Sequence, residues 1–488
     1  MKKYQNITND NNLDVIVEVN LTQKKKYFQE INKEVVLHKK KMRIIKNANL
    51  KCRKYTIYYY GQYKYFDESK EKYCFITEKL PNVTGKHRHD NDTILLSVKP
   101  VLKSEMTISY ASNYAKENFN LTCVPSTIWH WVGAIDIDNE SKFEIEEQTK
   151  QNFSGHLSID EVYDNKDGII FTTDPVKDLI ISSKICDGKP NNEIIENELN
   201  QLKNKGFNAI TCTKDGSPLY MNTITKVFIN ILLQICIFHL IKNMIKYFLD
   251  WHRKIRDEVK TNFLPRGLKS YGKKIKQYLF RKRCLFVKRD LSEDELNIIK
   301  NICFAIPEFK LLRNKYLKFL SIFDSDNIKE ASKKYWLFVS DPIINEKMPD
   351  LIKQIIKHYK NNELFTYLLF DKNIRKKIRT TNHTERTNRK FRKKQKTHYR
   401  IRNKFRRQRM IMFMYYFYNY KSLGIKNKLN LIILKSNYYC YIIIFSDYEF
   451  LSNFMEFYWF FKSKSIIGLS QENMQLFDTA IISIFYEF

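Results

Sequence analysis

From residue 155 onward the spacing of apolar residues restricts the chain to one kind of architecture. HLSIDEVYD, GIIFTTD and DLIISSKICD are three short segments rich in β-branched residues and divided by turn residues, the pattern of strands. NNEIIENELNQLKNKGF then predicts an amphipathic helix, with Ile194, Ile195, Leu199 and Leu202 on one face and Gly206 as its terminator. FNAITCT reads as a fourth strand and ILLQICIFH as a fifth. Three strands, a helix and two further strands give an α/β fold. Residues 240–375 read as almost all helix, with a capping box at Ser292 and Glu295 and with Pro349 opening LIKQIIKHY. An all-helical domain, about 245–375, is therefore expected as an insertion after the last strand.

The insertion is followed by a block of positive charge. Between Lys372 and Arg409 there are 18 Lys or Arg among 38 residues, and Glu385 is the one acidic residue between Asp371 and Asp447. A surface that only held phosphates would need no carboxylate. One that cuts or joins phosphodiesters does, because carboxylates hold the Mg²⁺ that neutralises charge on the reacting oxygens. The alternative is that Glu385 merely pairs with Arg389 one helical turn on.

The whole chain carries a formal charge of +32, from 85 Lys+Arg against 53 Asp+Glu in 488 residues. Such an excess calls for a polyanionic partner. A membrane is disfavoured, since the best apolar stretch, 227–241, has 15 residues and contains Gln234 and His239. The first residues show no signal-peptide pattern. Nine cysteines without a C-x-x-C pair do not make a disulfide framework, which points to a reducing compartment. Nucleic acid is the expected partner. The abundance of Lys, Asn, Ile, Tyr and Phe looks in part like AT-rich coding bias, but the cluster at 372–409 is not explained that way.

Residues 1–104 have no clear pattern. Cys52, Cys74, His87 and His89 could be imagined as a zinc site, but their spacing matches no standard finger. Residues 105–135 predict two short helices. Ile108, Ala111 and Ala115 mark the first, while Pro125 and Ser126 open a second that carries Ile128, Trp129 and Val132. A helix-turn-helix fits, with Ser126, Thr127 and His130 facing DNA bases, and so does a generic helical hairpin.

Three carboxylates take special places in this order. Asp160 lies in the first strand of the α/β unit, Asp215 follows the fourth, and Glu385 comes from a helix packed back on the sheet. Carboxyl ends of adjacent strands are where open α/β sheets place ligands. Two strand-end aspartates and a helical glutamate can hold two Mg²⁺ about 3.5–4 Å apart for in-line phosphoryl displacement. Each has a plainer reading too: Asp160 as one of several solvated acids with Glu161 and Asp164, and Asp215 as a turn residue in Asp-Gly.

Three segments resemble the DDE transposases of insertion sequences, the group with a helical insertion that is related to Mutator-like elements. They are GHLSIDEVY, then ITCTKDGSPLY with QICIFHLIKN, and TNHTERTNRKFRK. The resemblance covers roughly 105–420 and implies an RNase H-like mixed sheet, within 150–420, preceded by a helix-turn-helix. It implies Asp160, Asp215 and Glu385 as catalytic and metal-binding acids, with two Mg²⁺ for which Mn²⁺ can substitute. Cys236 and His239 match the C-x-x-H signature after the second acid and are placed near the active site. The basic residues Arg386, Arg389, Lys390, Arg392, Lys393 and Lys394 would bind DNA. The implied activity is strand cleavage at element ends and strand transfer to target DNA, with double-stranded DNA as partner and a homodimer or higher oligomer in the synaptic complex. A cytoplasmic, nucleoid-associated prokaryotic protein would follow.

Two rivals remain at this level. One is an RNase H-like nuclease that only hydrolyses; the other is an inactive or domesticated DNA-binding derivative. The apolar tail, 421–488, follows no family pattern and favours the second. The aromatic run MIMFMYYFYNY reads as the buried face of a closing helix.

Overall fold

The computed structural model describes residues 2–9, 12–104, 106–164, 166–259, 269–397, 404–426 and 429–433. They divide into two compact units, the first built mainly from 2–96 and 115–136, the second from Ser97–Tyr114 and Ile137–Leu431. The tail beyond Ile433 lies outside the described residues.

The first unit holds the segment without a clear sequence pattern. Its strands are β1 (Lys2–Asn9), β2 (Asn12–Asn20), β3 (Lys25–Phe28), β4 (Lys33–Asn47), β5 (Lys54–Asp67) and β6 (Lys72–Thr77). They form one sheet in the order β1-β2-β5-β4-β3, with β6 also paired to β5. Val35 and Ile45 are buried while Val36, Met42 and Ile44 on the same strand are exposed. Apolar residues on both faces blur the period of two by which a half-buried strand is recognised. The four candidate zinc ligands do not converge: Cys52 bonds Asn49, Cys74 bonds Asp67, and His89 packs its ring 4.8 Å from Trp131. Among the described residues no group of three His, Cys, Asp or Glu side chains is placed to hold a metal ion.

Helices α1 (Asn91–Ser104), α2 (Ile108–Phe119) and α3 (Pro125–Ala134) follow. Ile108, Ala111 and Ala115 are buried, as their spacing predicts. Asn120, at φ 54°, turns the chain after α2, and Pro125 occupies the first turn of α3. The buried pair on α3 is Ile128 and Trp131, three residues apart; Trp129 and Val132 are only half-buried. Ser126 and His130 are exposed and Thr127 is half-buried.

Next in the chain is β7 (Ile135–Ile137), and in the second unit α4 (Asn139–Gln151) precedes a five-stranded sheet. Its strands are β8 (His156–Asp164), β9 (Asp167–Asp174), β10 (Leu179–Ile185), β11 (Thr211–Lys214) and β12 (Leu232–Ile235). The order is β10-β9-β8-β11-β12: β8 is antiparallel to β9 and β9 to β10, while β8, β11 and β12 run parallel. The fold is thus mixed α/β. Between β10 and β11 comes α5 (Asn192–Asn204), whose first turn is capped by Asn191 accepting from the Ile194 N–H at 2.8 Å. Gly206, at φ +90°, ends it. Between β11 and β12 lies α6 (Pro218–Val227), which the apolar pattern did not reveal. Leu157, Ile159, Ile195, Leu199, Leu202, Tyr220 and Ile224 make the core between the sheet and these two helices.

The expected fifth strand is shorter than its apolar run. It stops at Ile235, because Cys236 caps α7 (Ile237–Glu258) and CIFH is already the start of a helix. The helical part therefore begins at 237. It continues through α8 (Lys269–Lys282), α9 (Glu293–Ala305), α10 (Pro307–Phe323), α11 (Ile328–Val339), α12 (Pro342–Lys347), α13 (Pro349–Lys360) and α14 (Lys372–Ile378). The capping box at Ser292 and Glu295 starts α9, and prolines occupy the first turns of α10, α12 and α13. Then come α15 (Asn382–Thr397), α16 (Lys404–Ser422) and β13 (Leu431–Ile433). Met410, Ile411, Phe413 and Met414 of α16 are buried, so the aromatic run packs inward. No helix among the described residues is long and apolar enough to cross a membrane.

The helical core contains an acid-sensitive group in His252. His252 is 1% exposed, with its ring 5.2 Å from Phe286 and 4.7 Å from Phe309, and its Nε2 has no partner. Burial, with Arg256 and Arg283 nearby, lowers its pKa to about 4. In the unfolded chain the imidazole titrates near 6.5. As pH falls from about 6.5 to 4 the unfolded state takes up a proton that the folded state refuses, so stability drops by on the order of 3 kcal/mol. Urea unfolding of His252→Phe should lack this portion of the acid loss. The same loss in the variant would place it elsewhere.

Candidate active site

The sheet register sets the first two acids side by side. Thr213 on β11 is the partner of Ser158 on β8, in parallel. Two residues further along come Asp160, still within β8, and Asp215, directly after the end of β11, beside strands whose axes lie about 4.8 Å apart. Side chains two residues apart share a face, so Asp160 lies on the face of Ser158 and Asp215 emerges on that of Thr213. That face is covered by the chain after the helical insertion. The Thr213 hydroxyl donates to the Ile378 carbonyl at 2.6 Å, and the Ser158 hydroxyl meets Thr384 Oγ1 at 2.6 Å.

Helix α15 brings the third acid. Thr384 also meets Thr173 Oγ1 of β9 at 2.9 Å, and Phe391, fully buried, packs its ring 6.0 Å from Phe171. Asn388, one turn after Thr384, donates to Asp160 Oδ2 at 2.9 Å. Thr384, Asn388 and Phe391 recur at the spacing of one helix face, and Glu385 stands at its edge. Glu385 accepts from Thr381 Oγ1 at 3.3 Å, and its Oε1 is 3.8 Å from His239 Nε2. These are its contacts, rather than the ion pair with Arg389 that a solvated helix would offer. Thr381 in turn bonds the Cys236 sulfur through its N–H (3.3 Å) and its hydroxyl (3.4 Å). The structure thus gathers Asp160, Asp215, Glu385, Cys236 and His239 at one end of the sheet.

The electrostatics are those of crowded carboxylates. Burial first, then Glu161 and Asp215, raise Asp160 to about 7, against His239. Glu161 is raised as well, mainly by burial, while a bond from the Tyr220 hydroxyl opposes the rise. Cys236 lies beside His239 and, with Glu385 and Asp160, raises the imidazole to about 9, although burial acts the other way. Burial pushes the Cys236 thiol up, but bonds with His239 and Thr381 outweigh it and leave the thiol below its ordinary value. The donors are all-oxygen, the set that Mg²⁺ prefers, and their mutual repulsion is what a divalent cation would relieve. As placed, the acids are neighbours but not yet a single coordination set.

The DNA-binding candidates sort by exposure. Arg386, Arg389, Lys390, Arg392 and Lys393 are exposed on the outer side of α15. Lys394 is not: it is 9% exposed and donates to the Leu102 carbonyl at 3.0 Å, on the same face as Phe391. It leaves the candidate phosphate-binding set for that reason. Several residues at the site went unnoticed in the sequence, among them Asn388, Thr384 and Tyr220. Asn388 was recoverable, since it sits three residues after Glu385 on a helix whose phase the motif defines; Tyr220 lies on the unforeseen α6.

Comparison with known proteins bears on this arrangement. Residues 296–418, about a quarter of the chain, match the family described as "Transposase, Mutator family". The match includes Glu385 and α15 but stops short of Asp160 and Asp215. No curated protein matches the chain. Among solved structures, the strand transfer complex of the Drosophila P element transposase covers 69% of this chain and 92% of its own, at 10% identity and a TM-score of 0.33, too loose to argue from. Residues 296–418 thus match a Mutator-type transposase domain, the family that the segment TNHTERTNRKFRK resembles.

The hydroxyl cluster is the seat of α15. Thr384→Val would leave the Ser158 hydroxyl buried without its 2.6 Å partner, a loss worth about 1–3 kcal/mol. Urea unfolding should show a drop in that range, and an unchanged midpoint would show that α15 is held by Phe391 alone.

Proposed function

We propose that this transposase domain belongs to a DDE-type enzyme with an RNase H-like core, which cleaves DNA at element ends and transfers the freed strand to target DNA. The observation that carries the reading is the placement of Asp160 on β8 and of Asp215 just past the adjacent parallel strand β11, under the helix that brings Glu385. The order β10-β9-β8-β11-β12, three antiparallel strands followed by two parallel ones, supports the RNase H-like assignment. The helices from α7 to α14 stand in the place of the family's insertion.

Asp160, Asp215 and Glu385 would hold Mg²⁺, with Asn388 orienting Asp160 and Thr381 orienting Glu385. When bound, the ion would supply an activated water and neutralise charge on the phosphate oxygens. His239, positively charged beside Glu385, would lie within reach of a phosphate oxygen. Water would break a phosphodiester at the element end, leaving a 3′-hydroxyl and a 5′-phosphate; that 3′-oxygen would then bond to a target phosphorus as the target's own 3′-oxygen leaves. Bringing two ends together calls for at least a homodimer. Asp160→Asn, Asp215→Asn and Glu385→Gln should each reduce Mg²⁺-dependent cleavage of end DNA by more than the roughly 10–100-fold that outer-shell partners of metal ligands cost, with DNA affinity kept. Full cleavage by any one of them would remove that acid from the site.

DNA would be held by the outer face of α15 and read by α3. Each phosphate contact adds about −0.9 to the log–log slope of affinity against salt. Changing Arg389, Arg392 and Lys393 to Ala should flatten that slope by up to about 2.7 and weaken all duplexes alike. Changing Ser126, Thr127 and His130 to Ala should instead cost about 1–3 kcal/mol per lost base contact on terminal-repeat DNA only. An unchanged slope in the first variant, or undiminished discrimination in the second, would move the respective contact elsewhere on the chain.

A further inference from the structure

Directly before Asp215 the strand buries a full positive charge. Lys214 ends β11 at 2% exposure, and its Nζ lies 2.9 Å from Glu363 Oε2. Both side chains are 3% exposed or less. Glu363 belongs to the helical insertion, just beyond α13, where Asn362 at φ 55° turns the chain. Its other carboxylate oxygen lies 2.5 Å from His358 Nδ1. Burial would push the Glu363 carboxyl up, but His358 and Lys214 outweigh it and hold it at about 2, so the carboxylate stays ionised.

A buried ion pair is an expensive way to join two elements, since apolar residues of similar volume are often as stabilising or more so. What it supplies here is geometry. The Lys214 ammonium also stands 3.5 Å from the Asp215 carbonyl oxygen. The backbone around it is tied to the same segment: Ile235 N–H donates to the Glu363 carbonyl (2.8 Å) and Cys236 N–H to the Lys214 carbonyl (2.7 Å). Glu363, through its carboxylate to Lys214 and its backbone carbonyl to Ile235, thereby ties the end of β11 to the end of β12, where α7 begins. The opposite charges cancel, so Asp215 is held without a net charge being added beside the acids.

We infer that Lys214 and Glu363, with His358, are positioning residues by which the helical insertion sets Asp215 for metal binding. The inference rests on the assignment of Asp215 under the proposed function. The insertion is then part of the active site's framework as well as a covering domain.

The test is Mn²⁺ binding followed by electron paramagnetic resonance on the full chain, alongside DNA cleavage. Lys214→Met/Glu363→Gln removes both charges at once and keeps a partner for His358, so no bare charge is buried. Well below its unfolding temperature, the double variant should bind Mn²⁺ at least tenfold more weakly. It should cleave 10–100-fold more slowly at saturating DNA, with the DNA concentration for half-maximal rate unchanged. A purely structural pair would lower the melting temperature and leave Mn²⁺ affinity alone, which would overturn the inference. If the double variant does not fold, Glu363→Gln is read the same way, a tenfold loss supporting the inference and none overturning it. A wild-type chain that bound no Mn²⁺ would instead overturn the assignment of Asp215, and the inference with it.

Discussion

The seating of α15 on β8 and β9 is the contact on which the site depends. Asp160 and Asp215 are neighbours by sheet register alone, but Glu385 is 170 residues beyond Asp215 and reaches them only through that helix. Three hydroxyls, Ser158, Thr173 and Thr384, meet beneath it, at 2.6 and 2.9 Å to Thr384. Short hydroxyl bonds in a buried interface are directional in a way that apolar packing is not. Phe391 supplies the apolar share against Phe171, and Asn388 extends the polar line to Asp160 itself. The helix thus carries a seat, the acid Glu385, an amide that meets Asp160, and on its outer side a row of cations.

Charge is distributed by depth. Exposed cations on α15 face solvent, where they can meet phosphates, whereas buried ones meet carboxylates or backbone carbonyls, as Arg313 meets those of Phe286 and Lys288. Arg407 of α16 pairs with Asp164 at 3.0 Å and also with Asp167, joining the last long helix to the β8–β9 turn. His383, 3% exposed, and Tyr418 both bond Asp178 at the β9–β10 turn, at 2.8 and 2.7 Å, and burdened with these partners the Asp178 carboxyl is held well below its ordinary value. Unpaired buried charges would cost several kcal/mol each, which keeps most of the excess lysine and arginine outside. The surplus that the composition shows is therefore a property of surfaces.

The strands β8 to β10, the helix α5 and the caps of α9 and α13 were legible because each carries a local signal: β-branched runs, a 3.6 period, a capping box, a first-turn proline. The sheet of the first unit was not, since Val36, Met42 and Ile44 stay exposed beside buried Val35 and Ile45 and break the alternation. The apolar run 227–241 misled in length, because a buried strand and the buried start of α7 have the same composition and only Cys236 divides them. The acids stood out by contrast with their surroundings, Glu385 most of all. What could not be read was every relation made across distance: Lys214 with Glu363, Asn388 with Asp160, Lys394 turned inward to Leu102. Such contacts depend on tertiary placement, to which local periodicity is blind.

The central claim is that Asp160, Asp215 and Glu385 bind divalent metal together. Anomalous scattering from crystals soaked in Mn²⁺ tests it without reference to activity. The account predicts an anomalous peak within coordination distance of carboxylate oxygens from both Asp160 and Asp215, with Glu385 on the same ion or an adjacent one. A crystal with ordered Mn²⁺ elsewhere and none between these acids would contradict it.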